Sequence, residues 1–401
     1  MKTVLSFAVC FSLLFITGCW DRKELNDRAI WLATGWDLAE NGGVEISGQI
    51  VIPSNVQTQG GGGGGGGGAT GKGFFTVSAI GKNVEEALDN IQTKLPREAY
   101  FGHRRIIFIG EEFATSGLKK KFDINNRTPD VSLRSDVFVV KGGKAKEIIK
   151  LANPLEKPPA IATLKEHRQS GGRGDTAYLK FLIAANLDGI RPSIPSIEIS
   201  DSLEGETGKE DSPNPKVLRL AGVSLFDKNL KLLGFLNDEG NKNTLWVMGI
   251  LKKKTISIKK GGANSSLKLT KINSKIEPNF GKNEKPSFTV TLVGEGTLSE
   301  SNSGLNMMNT KNLKLLEMEF EKEVQKQVKQ TITKVQKEYG IDIFGFGEAI
   351  HRKNPIRWKR LKTNWDQTFS ETNINVRARV KIKRIGNEGP SLLFKESEIE
   401  K

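Results

Sequence analysis

Two hydrophobic periods take turns along the first half of the chain. Val44 to Ile52 places apolar, mostly β-branched residues at alternate positions, which predicts a strand that Pro53 ends. Phe74 to Ile80 repeats the alternation. Asn83 to Ile91 switches to helical spacing, with Val84, Ala87, Leu88 and Ile91 on one face. Asp27 to Ala39, Arg104 to Gly110 and Asp136 to Val140 read as further strands. Glu111-Glu112 opens a helix, Val131 to Ser135 ends one, and Ala145 to Leu151 is a short helix stopped before Pro154. Residues 160–186 are largely helical, interrupted at Gly171-Gly172. Strands interleaved with helices predict a sheet covered by helices.

Residues 200–216 are polar and turn-rich, an exposed loop or linker. Leu218 to Phe226, the turn Asp227-Lys228-Asn229 and Leu230 to Leu236 form a hairpin. After Thr255 the period is two: Thr255–Ile258, Leu267–Thr270, Lys271–Ile276 and Phe288–Val293 read as strands separated by turns, an antiparallel sheet with one wet face. Leu313, Leu316, Phe320, Val324, Val328, Ile332 and Val335 then follow helical spacing up to Tyr339-Gly340. Glutamates lie early in this stretch and lysines late, as the helix dipole favours. It is expected to be a core helix packed on a sheet, and not a coiled coil. Asn375 to Lys383 is an alternating strand with a basic face. The expected class is α+β, with an N-terminal mixed α/β part over 19–200, a mostly-β part over 201–305 and a C-terminal part over 306–401 in which the long helix packs on antiparallel sheet.

Composition narrows the function more than the fold. The chain has 401 residues, 37% hydrophobic and 27% charged, which excludes a polytopic membrane protein and a fully disordered one. A net charge of +15 points to anionic surroundings: nucleic acid, anionic lipid or an acidic protein. Ten lysines face two glutamates between Lys252 and Lys285, read as a solubilising surface. No nucleic-acid-binding motif accompanies the charge, so no nucleic-acid partner is expected. His103, His167 and His351 are far apart, and both cysteines lie in the first nineteen residues, which leaves little for a metal site or a disulfide. The glycine run over 60–68 ends in Gly71-Lys72-Gly73 without the Ser or Thr of a phosphate loop, and reads as a mobile hairpin insertion. No nucleophile elbow or dinucleotide fingerprint is present. No catalytic residue, metal ligand or cofactor is expected.

The first residues carry the compartment signal. Val4 to Thr17 is an apolar stretch of signal-peptide length, followed by Leu14-Phe15-Ile16-Thr17-Gly18-Cys19 across its end. This resembles the lipobox of bacterial lipoproteins. The resemblance implies cleavage after Gly18, so that 1–18 is a signal peptide and Cys19 carries diacylglycerol. Trp20 would sit at the headgroup level. A transmembrane anchor is the alternative, but the run is shorter than the ~17–25 residues of a span. The body is expected to be soluble and tethered to a membrane face.

The residues after the cysteine are more specific. Cys19-Trp20-Asp21-Arg22-Lys23-Glu24-Leu25 resembles the mature start of the C-subunit lipoproteins of spore nutrient germinant receptors. Leu95-Pro96-Arg97 with Gly102-His103 and Arg105 to Gly110, then Arg134 to Val140 and Gly222 to Phe226, agree with that family. So does Asp342-Ile343-Phe344-Gly345-Phe346-Gly347-Glu348 with Pro355, Trp358, Trp365 and Phe369. The resemblance runs from signal to tail, with the glycine run as the departure. It implies three mixed α/β domains of unusual topology, with central sheets flanked by helices, on the outer face of the spore inner membrane. It implies a non-enzymatic subunit whose partners are the integral membrane A and B subunits and the lipid holding Cys19.

Candidate interface residues are Trp20, Arg105, Phe344, Phe346, Glu348 and Trp358. The 344–348 stretch pairs bulky apolar residues with glycines that allow close backbone approach; it reads first as a packed turn after the long helix, with an interface element as the alternative. Trp358 and Trp365, seven apart, would share one helical face, buried or at an interface. An extracytoplasmic solute-binding lipoprotein of a nutrient transporter is the alternative function, and would show a large cleft. A wall-modifying enzyme would show carboxylates or histidines converging in a pocket.

Overall fold

The computed structural model describes Glu24 and residues 27–52, 73–127, 132–151, 156, 158–171, 178–201, 216–281 and 285–386. Cys19, Trp20, Pro53, Pro154, the glycine run and most of the 200–216 linker lie outside the described residues.

The first sheet takes its strands from the interleaved part of the sequence. In chain order these are β1 (Arg28–Leu38), β2 (Val44–Val51), β3 (Phe74–Gly81), β4 (Glu98–Tyr100), β5 (Ile106–Gly110), β6 (Asp136–Val140), β7 (Ser193–Asp201), β8 (Lys216–Phe226) and β9 (Leu232–Leu236). Their spatial order is β3-β2-β1-β5-β6-β7-β8-β9, with β4 beside β1. Strands β1, β5, β6 and β7 are parallel, and both flanks are antiparallel. β5 and β6 are buried at every position. That requires cover on both faces, and period two divides the load. Ile107 and Ile109 pack in one core with α1 (Val84–Gln92), α2 (Glu111–Thr115) and, beyond the short α3 (Asp123–Arg127), residues further along the chain. Ile106 and Phe108 face the other core, built on α4 (Ala145–Lys150) and α5 (Pro159–Gln169). Helix α6 (Tyr178–Asn186) inserts Tyr178 and Phe181 into the first of these cores.

The second sheet has the order β10-β11-β12-β13 and is preceded by α7 (Asp238–Val247). Its strands are β10 (Lys254–Lys260), β11 (Ala263–Phe280), β12 (Pro286–Ser301) and β13 (Asn373–Arg384). Between β12 and β13 come α8 (Thr310–Lys334), a π-helical turn (Val335–Tyr339), α9 (Phe346–Lys353), α10 (Pro355–Leu361), a 3-10 turn (Lys362–Asn364) and α11 (Trp365–Glu371). The apolar stripe of α8 lies in the sheet's core. The same helix covers the β13 edge, whose backbone groups would otherwise invite pairing with another chain. Val380 N–H donates to Glu321 Oε1 at 3.0 Å and Ile382 N–H to Glu317 Oε1 at 2.9 Å. Lys329 Nζ donates to the Ile374 carbonyl at 2.6 Å.

Hydrogen bonding gathers the body into two mixed sheets flanked by helices, and the divisions expected at 200/201 and 305/306 do not follow the sheet borders. β8 and β9 extend the first sheet, while β13 pairs with β12. That last pairing is parallel, where antiparallel sheet was expected, because the helices between the strands carry the chain back to the starting end. Leu267–Thr270 and Lys271–Ile276 belong to one strand without a turn. A register shift between Leu269 and Lys271 moves the inward-facing set from Leu267 and Leu269 to Ile272 and Ile276. Residues 132–135 form a turn and no helix end. Helix α7 went unread at 238–247, although Asn237 caps it by accepting from Gly240 N–H at 2.9 Å, with Asp238 and Glu239 in the first turn. No helix among the described residues is long and apolar enough to cross a membrane.

Candidate functional site

The segment after α8 is organised by one carboxylate. Gly340 ends the π-helical turn in the left-handed region at φ 63°, and the chain turns inward. Asp342 is fully buried. Its Oδ1 accepts from Phe344 N–H at 3.0 Å and Gly345 N–H at 2.9 Å. Its Oδ2 accepts from Gly347 N–H at 2.8 Å and Trp365 Nε1 at 3.0 Å. Gly345 takes φ 86°, a conformation that a side chain would strain. Burial pushes the Asp342 carboxyl up to about 6, against the pull of these donors.

The loop so formed meets the first sheet. Gly347 and Gly189 lie back to back: a Cβ on Gly347 would fall 2.6 Å from Gly189 Cα and 2.8 Å from the Trp358 ring. Gly189 N–H donates to Glu348 Oε1 at 3.2 Å. Arg191 N–H donates to the Asp342 carbonyl at 2.6 Å. The Arg191 guanidinium gives Nε and Nη2 to Asp366 Oδ2 at 3.1 and 2.9 Å. Lys362 Nζ reaches Asp188 Oδ2 at 3.2 Å. The approach to β7 is therefore joined to the α9–α11 segment by a close backbone contact, two hydrogen bonds from backbone N–H groups and two ion pairs. Val223, Leu225 and Leu236 of the first sheet also enter the second sheet's core.

This geometry places the candidate residues unequally. Phe344, Phe346 and Trp358 are core residues and offer no outward face. Phe346 stacks on Phe369 with centroids 5.7 Å apart, and Trp358 meets Trp365 edge to face at 5.4 Å. The tryptophans do not share one helix, because the 3-10 turn separates α10 from α11, yet the bend brings their rings together. Glu348 is half-buried in the joint. Arg105 is exposed, while its neighbour Arg104 is buried and pushed down to about 10 by burial. The joint thus unites Phe344, Phe346, Glu348 and Trp358 and leaves Arg105 apart; Cys19 and Trp20 are outside the described residues. Asp342, Gly189, Arg191 and Asp366 were not read as site residues. Asp342 had a local signal, an acid with glycines three and five residues on. The Arg191–Asp366 pair spans 175 residues and had none.

A second feature is a cleft of about 880 Å³ lined by Asp37, Gly110, Glu111, Glu112, Lys144 and Glu147, among others. It lies at the carboxyl ends of β1, β5 and β6, where parallel sheets commonly bind ligands. Two of its acids already hold backbone amides. Asp37 accepts from Ala145 N–H at 2.7 Å and Lys146 N–H at 2.8 Å, capping α4, and Glu111 accepts from Gly142 N–H at 2.6 Å. Burial pushes Asp37 up to about 6. Among the described residues no group of three or more His, Cys, Asp or Glu is placed to hold a metal ion. His167 is buried and pushed down to about 4 by burial, a neutral core residue.

Comparison with known proteins covers nearly the whole chain. Residues 21–199 match the family pattern described as spore germination protein N-terminal domain. Residues 221–386 match the one described as spore germination B3/GerAC like, C-terminal. Spore germination protein KC of Bacillus subtilis (strain 168) is 30% identical over 400 residues, 96% of each chain. Spore germination protein B3 of the same organism is 27% identical over 97% of this chain and 100% of its own. The crystal structure of the GerBC protein superposes with a TM-score of 0.54 at 20% identity, covering 87% of this chain and 96% of that one, a likeness of fold.

Proposed function

The chain belongs to the spore germination B3/GerAC-like family, and from that premise we propose that it is the non-enzymatic, membrane-anchored C subunit of a spore germinant receptor. The observation that carries this is the match of both family patterns, in order, along one chain. Diacylglycerol on Cys19 holds the subunit to the outer face of the spore inner membrane, with Trp20 at the headgroups. Its partners there are the integral A and B subunits. Confinement to the membrane raises the effective concentration of each partner for the others. The joint around Asp342 supports a scaffold role, since it ties both sheets into one unit that can present a fixed surface. In this reading Phe344, Phe346, Glu348 and Trp358 act inside the subunit, and Arg105 is the exposed candidate for outside contact.

Pull-down of the tagged protein from dormant-spore membranes, beside a Cys19→Ala control, tests the reading. Co-recovery of two integral subunits, weakened in the control, is expected. Recovery from the membrane without such partners would refute the receptor assignment.

The cleft at the carboxyl ends of β1 and β5 favours a second reading, a solute-binding lipoprotein. It would show as a rise in melting temperature of the isolated protein with a free amino acid or sugar.

A further inference from the structure

We propose that the edge of the first sheet at which its parallel strands begin, with the outer face of α6, rests on an anionic lipid bilayer. The inference deepens the membrane-anchored reading and rests on it. The topology gathers this surface from four distant parts of the chain. β1 starts at Arg28, paired with Glu98 at the start of β4. Arg97 immediately precedes β4, Arg105 precedes β5, and Arg134 lies two residues before β6. Because β4, β5 and β6 all run parallel within this sheet, the three arginines come out at one edge. Arg105 N–H donates to the Leu32 carbonyl, and Asp136 N–H to the Arg105 carbonyl, which fixes neighbouring strand starts side by side. All three arginines are exposed.

Apolar side chains stand among them. Leu179 N–H donates to the Leu133 carbonyl at 3.1 Å, and Tyr178 N–H to Ser135, so α6 springs from the same edge. Leu133, Leu179, Ile183 and Leu187 are 39%, 44%, 51% and 37% exposed, where large aliphatics are normally covered. Residues 179, 183 and 187 follow at four-residue steps and so lie along one side of α6 and its exit. A row of aliphatics flanked by arginines fits a bilayer surface: the guanidinium groups meet lipid phosphates and the aliphatics enter the interface. The acids near this edge include Glu24, Asp27, Glu98, Asp136 and Asp188; Asp136 is buried at the start of β6, and Asp188 already holds Lys362.

The chain's course supplies the occupant. Arg28 follows Cys19 by nine Cα-to-Cα steps, a reach of roughly 30 Å even when fully extended. An acyl group on Cys19 therefore keeps this edge near the membrane. The opposite edge, with the cleft and Glu112, is left facing away.

The lipidated full-length protein in phosphatidylglycerol-containing vesicles provides the test. Ile183→Cys and, at the opposite edge, Glu112→Cys are labelled with a fluorophore, and quenching by lipid-borne nitroxide is read. The natural cysteines do not compete, since Cys10 leaves with the signal and Cys19 is acylated. Strong quenching at 183 and several-fold weaker quenching at 112 are expected. Changing Arg97, Arg105 and Arg134 to Ala should lower the docked-to-undocked ratio about fivefold per arginine. Flotation with the vesicles but equal, weak quenching at both sites would overturn the docking face alone. Failure to float would refute the anchor, and the proposal with it. Equal quenching in purely zwitterionic vesicles would overturn the anionic-lipid assignment. Burial of residue 183 only after membrane subunits are added would overturn it in favour of a protein partner.

Discussion

Asp37 and Asp342 are both buried carboxylates raised to about 6, and both spend their oxygens on backbone amides. They differ in what they hold. Asp37 reaches from the end of β1 to the first turn of α4, 108 residues away, and lines a cleft. Asp342 holds its own loop within five residues, adds the Trp365 indole, and touches no solvent. Its carbonyl also receives Arg191 from the approach to the first sheet. Asp37 fastens one helix to one sheet, whereas Asp342 shapes the joint between two. The segment carrying the family resemblance at 342–348 is therefore an internal fastening. A surface for partners has to be sought elsewhere.

The strongest way to break this comparison is to remove each acid. Asp342→Ala leaves four buried donors without an acceptor and should cost about 4 kcal/mol, close to 8 °C in melting temperature. Asp37→Ala strips two donors beside a cleft that admits water and should cost about 2 kcal/mol. Denaturant unfolding of both variants measures the difference. Equal losses would mean that the Asp342 loop is no more critical than an ordinary helix cap.

The pH dependence sharpens the comparison further. A carboxyl raised from 3.8 to about 6 contributes stability that is fully present below pH 4 and lost as pH rises through 6. The contribution is on the order of 3 kcal/mol for each acid. His167, pushed down to about 4, has the opposite sign: it loses stability as pH falls from 6.5 toward 4 and masks one of the two acids. Differences between wild type and variant cancel that background. The deficit of Asp342→Asn should be largest near pH 4 and shrink as pH rises past 6. A deficit that grows over this range would show that the four donors keep Asp342 ionised against the effect of burial.

Much of this fold was legible because its signals are local. The alternation in Val44–Ile52 and the stripe from Leu313 to Val335 became β2 and α8 nearly as expected. What stayed hidden depends on distant partners. Leu218–Leu236 reads as a hairpin, but nothing in it says that it completes the first sheet. A one-residue register shift inside β11 flips the buried face and imitates a turn. The joint was half legible. The glycines at 345 and 347 announced a close approach, but the partner backbone at Gly189 is 158 residues away from Gly347, and no local pattern carries that information.

The smallest expected effect concerns the ion pair beside the joint. Arg191 is 12% exposed at its side chain and Asp366 33%, so water screens one end of the contact. Arg191→Ala removes both guanidinium hydrogen bonds to Asp366 but keeps the backbone N–H hydrogen bond to the Asp342 carbonyl, and should cost about 1 kcal/mol. Arg191→Lys should recover part of this, since an ammonium keeps the charge but lacks the planar pair of donors. Hydrogen exchange gives a second readout, because loosening confined to the joint raises exchange at Gly189 and Gly347 while the centres of β5 and β12 stay protected. If Arg191→Ala instead cost as much as Asp342→Ala, the ion pair and not the carboxylate loop would be holding the two sheets together. The contrast between Asp342 and Asp37 would then have to be redrawn around Arg191.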